Sequence, residues 1–365
     1  GAIVARAFDG DTQNSEVVIN GDTTFVGNTA ALNGGAIWNN VAKSGSTTGI
    51  ASLAINGEVE FKNNIANGVG GAIFNGSQMT IAKAEFDENI AYGNYAGAIY
   101  NSASGDIAKL VAEFDENKVL NDDFAAGGAI VNIGKMGSLT GVFEENAAEA
   151  TNIALHTSAK GGALYAYAGS VIESVRADFI SNYANSGGEA MGGAIVNDGD
   201  ITKLSQGNYG FVNNSVVAQT NAWAGALYNS QDASINELSA NFVGNSAKGT
   251  DWAIGGAMVN FGTVNVLSGV YANNSVGVSA KEGYAMGGAI YNANVLNFVG
   301  DVEFRNNVVS GARDYAYGGA IYNDGTLNFD ANALFANNTV AGGANDIYNA
   351  GIINVNKDAV LTLDG

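Results

Sequence analysis

The chain runs to 365 residues with 51 glycines, no proline and no cysteine, and its 35 acidic against 15 basic side chains leave a formal net charge of −20. That charge argues against nucleic acid or an anionic membrane as the main partner and favours cations or basic partners. Without cysteine there are no disulfides and no thiolate metal sites, and a hydrophobic share of 47% excludes a disordered chain.

The absence of proline suits a body of laddered strands, where every N–H is wanted. In an exported protein the lack of cysteine points to a bacterial route. No apolar run of about 18 residues is present, so no membrane-crossing helix is expected. The chain opens at Gly1 without a charged-then-apolar leader and stops inside a strand-like run, Val360-Leu361-Thr362-Leu363. It reads as a piece of something longer.

Residues 1–24 read as a starting coil. From there a Phe-x-x-Asn element recurs, at Phe25/Asn28, Phe61/Asn64, Phe86/Asn89, Phe114/Asn117, Phe143/Asn146 and Phe179/Asn182. It continues at Phe211/Asn214, Phe242/Asn245, Tyr271/Asn274, Phe304/Asn307 and Phe335/Asn338. The mean spacing is about 31 residues, inside the range of solenoid repeats. Between successive copies lies a second element, from Gly35-Ala36-Ile37 through Gly193-Ala194-Ile195 to Gly319-Ala320-Ile321. An asparagine closes nearly every one, Asn39 and Asn323 among them, with Ala166 the exception.

Short alternating apolar runs fill each period and no helical pattern competes. The expected fold is all-β: a right-handed parallel β-helix of about 11–12 coils with three short strands per coil. Its handedness is taken from the crossover rule and from the family resemblance given below, not from these residues. Residues 1–365 then form one continuous domain, with repeats over 25–349 and last strands over 350–365. At about 4.8 Å per rung the rod is about 55 Å long. Ile321 and Phe304 point inward. The asparagines suit corners, where they tolerate the left-handed conformation and ladder through their amides. Extra residues gather between each Phe and the next Ala, most of all at Ala147–Lys160, Ser275–Met286 and Val308–Tyr317. Those segments read as loops on one edge of a rigid scaffold.

The alternation of Gly-Gly-Ala-Ile with Phe-x-x-Asn, from Phe25 to Asn349, resembles the passenger domains of chlamydial polymorphic membrane proteins. The resemblance implies an exported surface adhesin, held at the outer membrane by a C-terminal β-barrel that lies outside this sequence. Expected partners are a protein or glycan on a host or neighbouring cell. A self-associating surface rod and a carbohydrate-active enzyme are the alternatives.

Two rows of side chains carry chemistry. Within Phe-x-x-Asn, three successive coils hold Asp87-Glu88, Asp115-Glu116 and Glu144-Glu145. Stacked carboxylates repel unless Ca²⁺ or a basic partner offsets them, or they splay into water. Between the inward Ile and the closing Asn, an outward stripe includes Trp38, Phe74, Tyr100, Tyr228, Tyr291 and Tyr322. It offers a stacking surface for sugars or a second rod, unless insertions fold over it. Catalysis has little to stand on, because His156 is the only histidine and nothing marks nearby Ser158 as activated. No cofactor is expected apart from Ca²⁺ at the acidic row, and no catalytic residue is assigned.

Overall fold

Phe-x-x-Asn units one period apart stack because a lone coil leaves both faces of its strands uncovered, while a stack buries them. The computed structural model describes residues 1–7, 14–41, 49–152, 156–311 and 313–364, and over these it is a β-solenoid of parallel sheets. The Gly-Gly-Ala strands, such as Ile73–Gly76 and Ile290–Asn292, form a 12-stranded front sheet. The segments after each Phe-x-x-Asn form a second, 12-stranded side sheet. The third is a long sheet of strands such as Ala51–Lys62, Asp106–Asp115 and Val295–Arg305. These are longer than the sequence suggested, and in some coils break into two, as at Asp200–Ser205 and Phe211–Val212. The long sheet bends over small residues, Ala112, Gly141 and Ala177 in successive coils.

The core is a set of ladders along the rod. Phe25, Phe61 and their successors to Phe335 stack with ring centroids 4.5–5.0 Å apart. Ile37, Ile73, Ile99 and Ile130 lie in register and fully buried. Burying one such side chain contributes about 1.5–3 kcal/mol, which is how one weak motif, repeated, holds a body together. Tyr271 is the odd rung: its hydroxyl is fully buried with no partner, and burial pushes its pKa well up. Tyr271→Phe is therefore expected to stabilise the rod by about 1 kcal/mol, since it removes an unpaired polar group. Chemical denaturation measures it, and a lowered midpoint would contradict the account.

Asparagine ladders through its amides as expected, but the left-handed corner is not at the last Asn of Phe-x-x-Asn. The left-handed residue is the one before the closing Asn, including Asn63, Glu88, Glu116, Glu145 and Ser181, with φ between 49° and 55°. The closing Asn is itself buried, and its amide Nδ2 donates to Oδ1 of the next rung, as from Asn64 to Asn89 (2.9 Å) and Asn89 to Asn117 (2.9 Å). A second ladder runs behind the front strands, Asn39 to Asn75 (2.7 Å) and Asn75 to Asn101 (2.7 Å). Ala166 interrupts this one. The first ladder ends on a carboxylate, Asn338 Nδ2 donating to Asp346 Oδ1 (2.9 Å).

The supposed edge loops are folded. Ala147–Ala150 and Ser158–Lys160, Ser275–Val278 and Tyr284–Met286, and Val308–Ser310 and Ala316–Tyr317 are pairs of strands. Together with their neighbours they add a fourth, 7-stranded sheet, which stands off the rod as a fin against the side sheet. Its seam is a buried row of Ala125, Ala159, Ala190, Ala222, Ala253 and Ala285 facing Val119, Ala148, Ala184, Val216 and Ala247. Side chains this short let the two sheets close on each other.

Candidate functional site

Strand alternation decides what the fin shows to its other side. With Ala159 and Ala190 turned into the seam, the residues flanking them face the front sheet. One flanking row runs Lys160, Met191, Trp223, Ile254, Met286 and Tyr317 in register. The aromatic stripe of the front sheet runs in register from Trp38 through Phe74, Tyr100, Val131 and Tyr165 onward, and from Tyr100 on it stands opposite the fin, while Trp38 and Phe74 lie before the fin begins. The two pack on each other along the rod, so that the cleft between them is filled at its base by these side chains and open only at its rim. Trp223 lies 6.2 Å from Tyr228 and 5.7 Å from Phe261, and Tyr317 lies 6.3 Å from Tyr322, centroid to centroid.

The cleft partly covers the stripe. Val131, Tyr165, Val196 and Val259 are buried, while Trp38, Phe74, Tyr100, Tyr228, Tyr291 and Tyr322 all remain partly exposed. Along the wall the rings lie face to face, Tyr291 on Tyr322 at 5.1 Å and 3°, and Tyr322 on Tyr348 at 5.1 Å and 13°. Burial pushes the Tyr291 phenol up to about 12 and raises Tyr228 as well. These hydroxyls stay protonated near neutrality and serve as neutral donors and acceptors.

One coil departs from the apolar pattern. Lys160 stands in the fin row, with its Nζ 3.7 Å from Asp198 Oδ2 and 5.7 Å from the centre of the Tyr165 ring. The Tyr165 hydroxyl donates to the same Asp198 oxygen at 2.7 Å, and burial together with the Asp198 charge drives its pKa far up. Lys160 and Asp198 escaped the sequence reading because neither falls in a repeat element. The signal available was the asparagine missing at Ala166, six residues on from Lys160.

The acidic residues line up as the register requires. Lys62, Asp87, Asp115 and Glu144 are successive rungs of one row, and Glu88, Glu116 and Glu145 occupy the left-handed corner beside it. Lys62 pairs with Asp87, and Lys118 Nζ lies 3.7 Å from Glu116. Among the described residues no group of three or more acidic or histidine side chains is arranged to hold a metal ion. Asp115, between Asp87 and Glu144, has its pKa pushed up to about 6, by burial first and then by Asp87, Glu116, Glu144 and Glu145. A carboxyl whose pKa rises on folding favours the folded state fully below its unfolded value, near 3.8, and loses that contribution as pH climbs through 6. Asp115→Asn is thus expected to raise the melting temperature at pH 7.5, with the gain fading between about pH 6 and 4. A gain independent of pH would remove the carboxyl repulsion from the explanation.

Outside the cleft, the bend of the long sheet carries an open groove of about 760 Å³ lined by Glu58, Glu60, Lys83, Glu85 and Glu113. Further along the same sheet, buried Asp178 accepts from the backbone N–H of Asn208, Tyr209 and Gly210 at 2.7–2.8 Å and pins that turn. Its sequence context gave no hint of this. His156 is exposed beside the fin strand, and Ser158 Oγ is buried without a hydrogen-bond partner, so the two form no catalytic pair.

Residues 22–40 and 58–76 match the Chlamydia polymorphic membrane protein repeat. Each match spans one Phe-x-x-Asn corner, one side strand and one Gly-Gly turn into the front sheet, which together make most of a coil. Over these two stretches the chain is similar to that repeat family. Both matched repeats come from coils that precede the fin, whose added strands lengthen the corresponding segment in later repeats. Comparison with curated proteins and with solved structures gives no match.

Proposed function

We propose that this chain is the passenger domain of an autotransporter-type surface protein and that it adheres to another cell through the cleft between fin and front sheet. Two things support the passenger reading: the similarity to polymorphic membrane protein repeats and the solenoid fold. The name of that repeat family also favours a place at the outer membrane, with the rod projecting from the surface. The observation carrying adhesion is the cleft wall itself. Tyr291 and Tyr322 are stacked in adjacent rungs and partly exposed, and Tyr228, also partly exposed, stands two rungs before Tyr291 across buried Val259, where a protein with no partner would leave charged side chains. Amphipathic rings of this kind are the usual material of contact surfaces. The partner is a protein or glycan of a host or neighbouring cell, and the reading assigns the rod no chemical step.

The test uses fluorescently labelled rod on cultured epithelial cells and on bacterial cells. Native rod should bind saturably. A Tyr291→Ser, Tyr322→Ser rod with an unchanged circular dichroism spectrum should bind at least tenfold less. Equal binding by the two would remove the cleft from the proposal, and no binding by either would remove adhesion.

A further inference from the structure

The open groove at the bend of the long sheet lies apart from the cleft, and the register builds it. Where Ala84, Ala112 and Gly141 take the inward place the sheet dips, and the outward residues on either side of the dip become two walls. One wall is the row Thr24, Glu60, Glu85, Glu113 and Val142, in register over successive coils. At about 4.8 Å per rung it runs for about 19 Å. The other wall holds Glu58 and Lys83, paired at 2.6 Å. Glu60, Glu85 and Glu113 have no such partner among the described residues. Like charges on adjacent rungs oppose each other, and a groove lined by one sign of charge concentrates counter-ions. Val111 and Val142 set apolar surface beside the carboxylates.

The next rung of the same row is already filled, by the chain itself. Asp178 follows Val142 there, and five residues between Ser205 and Phe211 stand where the coil before has two, Ala177 and Asp178. They fold over Asp178, whose carboxylate accepts the backbone N–H of Asn208, Tyr209 and Gly210. Gly207 lies so close that a Cβ on it would strike that carboxylate. At this level polypeptide occupies the bend and brings N–H donors to the acidic row.

We infer that the open stretch from Thr24 to Val142 is a docking groove for an extended basic peptide segment of a partner protein. Lysine and arginine stems lie along the apolar floor while their heads reach Glu60, Glu85 and Glu113. About six extended residues span the groove. A metal ion fits it less well, because among the described residues no three acidic side chains are arranged to hold one.

Fluorescence anisotropy of a labelled octapeptide of alternating lysine and valine, titrated with the whole rod, tests the groove. Binding should weaken steeply with salt and fall at least tenfold in a Glu85→Gln, Glu113→Gln rod. Both side chains are exposed and the change removes repulsion, so the circular dichroism spectrum should not alter. A Glu88→Gln, Glu145→Gln rod loses the same charge from the corner beside the groove, and it should bind within about twofold of native. So should the Tyr291→Ser, Tyr322→Ser rod, which separates this contact from the adhesive cleft. Equal loss from the groove and corner pairs would show that only overall charge is felt and would overturn the groove. Spermine, a polycation without a peptide backbone, should bind at least tenfold more weakly; equal affinity would overturn the peptide as occupant. Absence of peptide binding, or equal binding of a glutamate–valine octapeptide, would overturn the whole inference.

Discussion

A Gly193→Ala rod is expected to lose the stacking of its central coils, at a cost above about 3 kcal/mol. The two glycines of each turn serve different needs. The first has a positive φ, 57° at Gly192, and two coils already place alanine there, Ala96 at 60° and Ala224 at 62°. The second has no space. A Cβ on Gly193 would press into the carbonyl oxygen of Gly225 in the next coil and the backbone N and O of Ser215. No flexible side chain stands in the way to yield, so strands of two sheets would have to part. Gly192→Ala is no neutral control, because a Cβ there would press on the carbonyl oxygen of Ile195; Ala224→Gly probes the first position instead and should be neutral or stabilising by up to about 1–2 kcal/mol, the cost of a left-handed alanine. Solenoids unfold by neighbouring units rather than all at once, so amide exchange read coil by coil is the right measurement. Native protection around Ile195 and Leu227 in the Gly193→Ala rod would show that the turn tolerates a methyl group.

The same difference explains what the sequence could disclose. Phe86, Phe114 and Phe143 recur at a steady distance from their asparagines, and a repeating apolar residue has one economical use, on top of itself. The parallel stack, the inward Phe and Ile ladders and the outward stripe were therefore legible. The fin was not. Ser158-Ala159-Lys160 and Glu189-Ala190-Met191 are strands only three residues long, with alanine as the single inward residue, and no apolar alternation marks so short a run. Its presence turns an expected fringe of loops into the second wall of the cleft. The left-handed corner was hidden for another reason: Asn63, Glu88, Ser181 and Gly244 share one conformation but no chemistry. Lys160 and Asp198 are brought together from neighbouring coils by the register, which pairs Tyr165 with Val196. Sequence spacing alone does not show that meeting.

Asn146→Ala should be the most damaging single change that leaves every backbone angle permitted. Asn146 Nδ2 donates to Asn182 Oδ1 (2.9 Å) and to the Phe114 carbonyl (2.9 Å), while its Oδ1 accepts from the backbone N–H (3.0 Å) and the amide (2.9 Å) of Asn117. All of these groups lie away from water. Truncation strands donors and acceptors on both neighbouring rungs. Each pair broken in this way costs about 1 kcal/mol, and a stranded buried group up to about 3, so a loss of about 4 kcal/mol is expected. Asn146→Asp probes direction as well as presence. A carboxylate cannot donate to Asn182, yet it still accepts from Asn117, as Asp346 does from Asn338 at the ladder's end. The carboxylate also leaves the Phe114 carbonyl, in Asn117's own coil, without its donor, so the aspartate rod should loosen most from Asn182 onward and less around Phe114 and Asn117. Amide exchange that weakens equally on both sides would mean the ladder has no polarity and acts only by filling space.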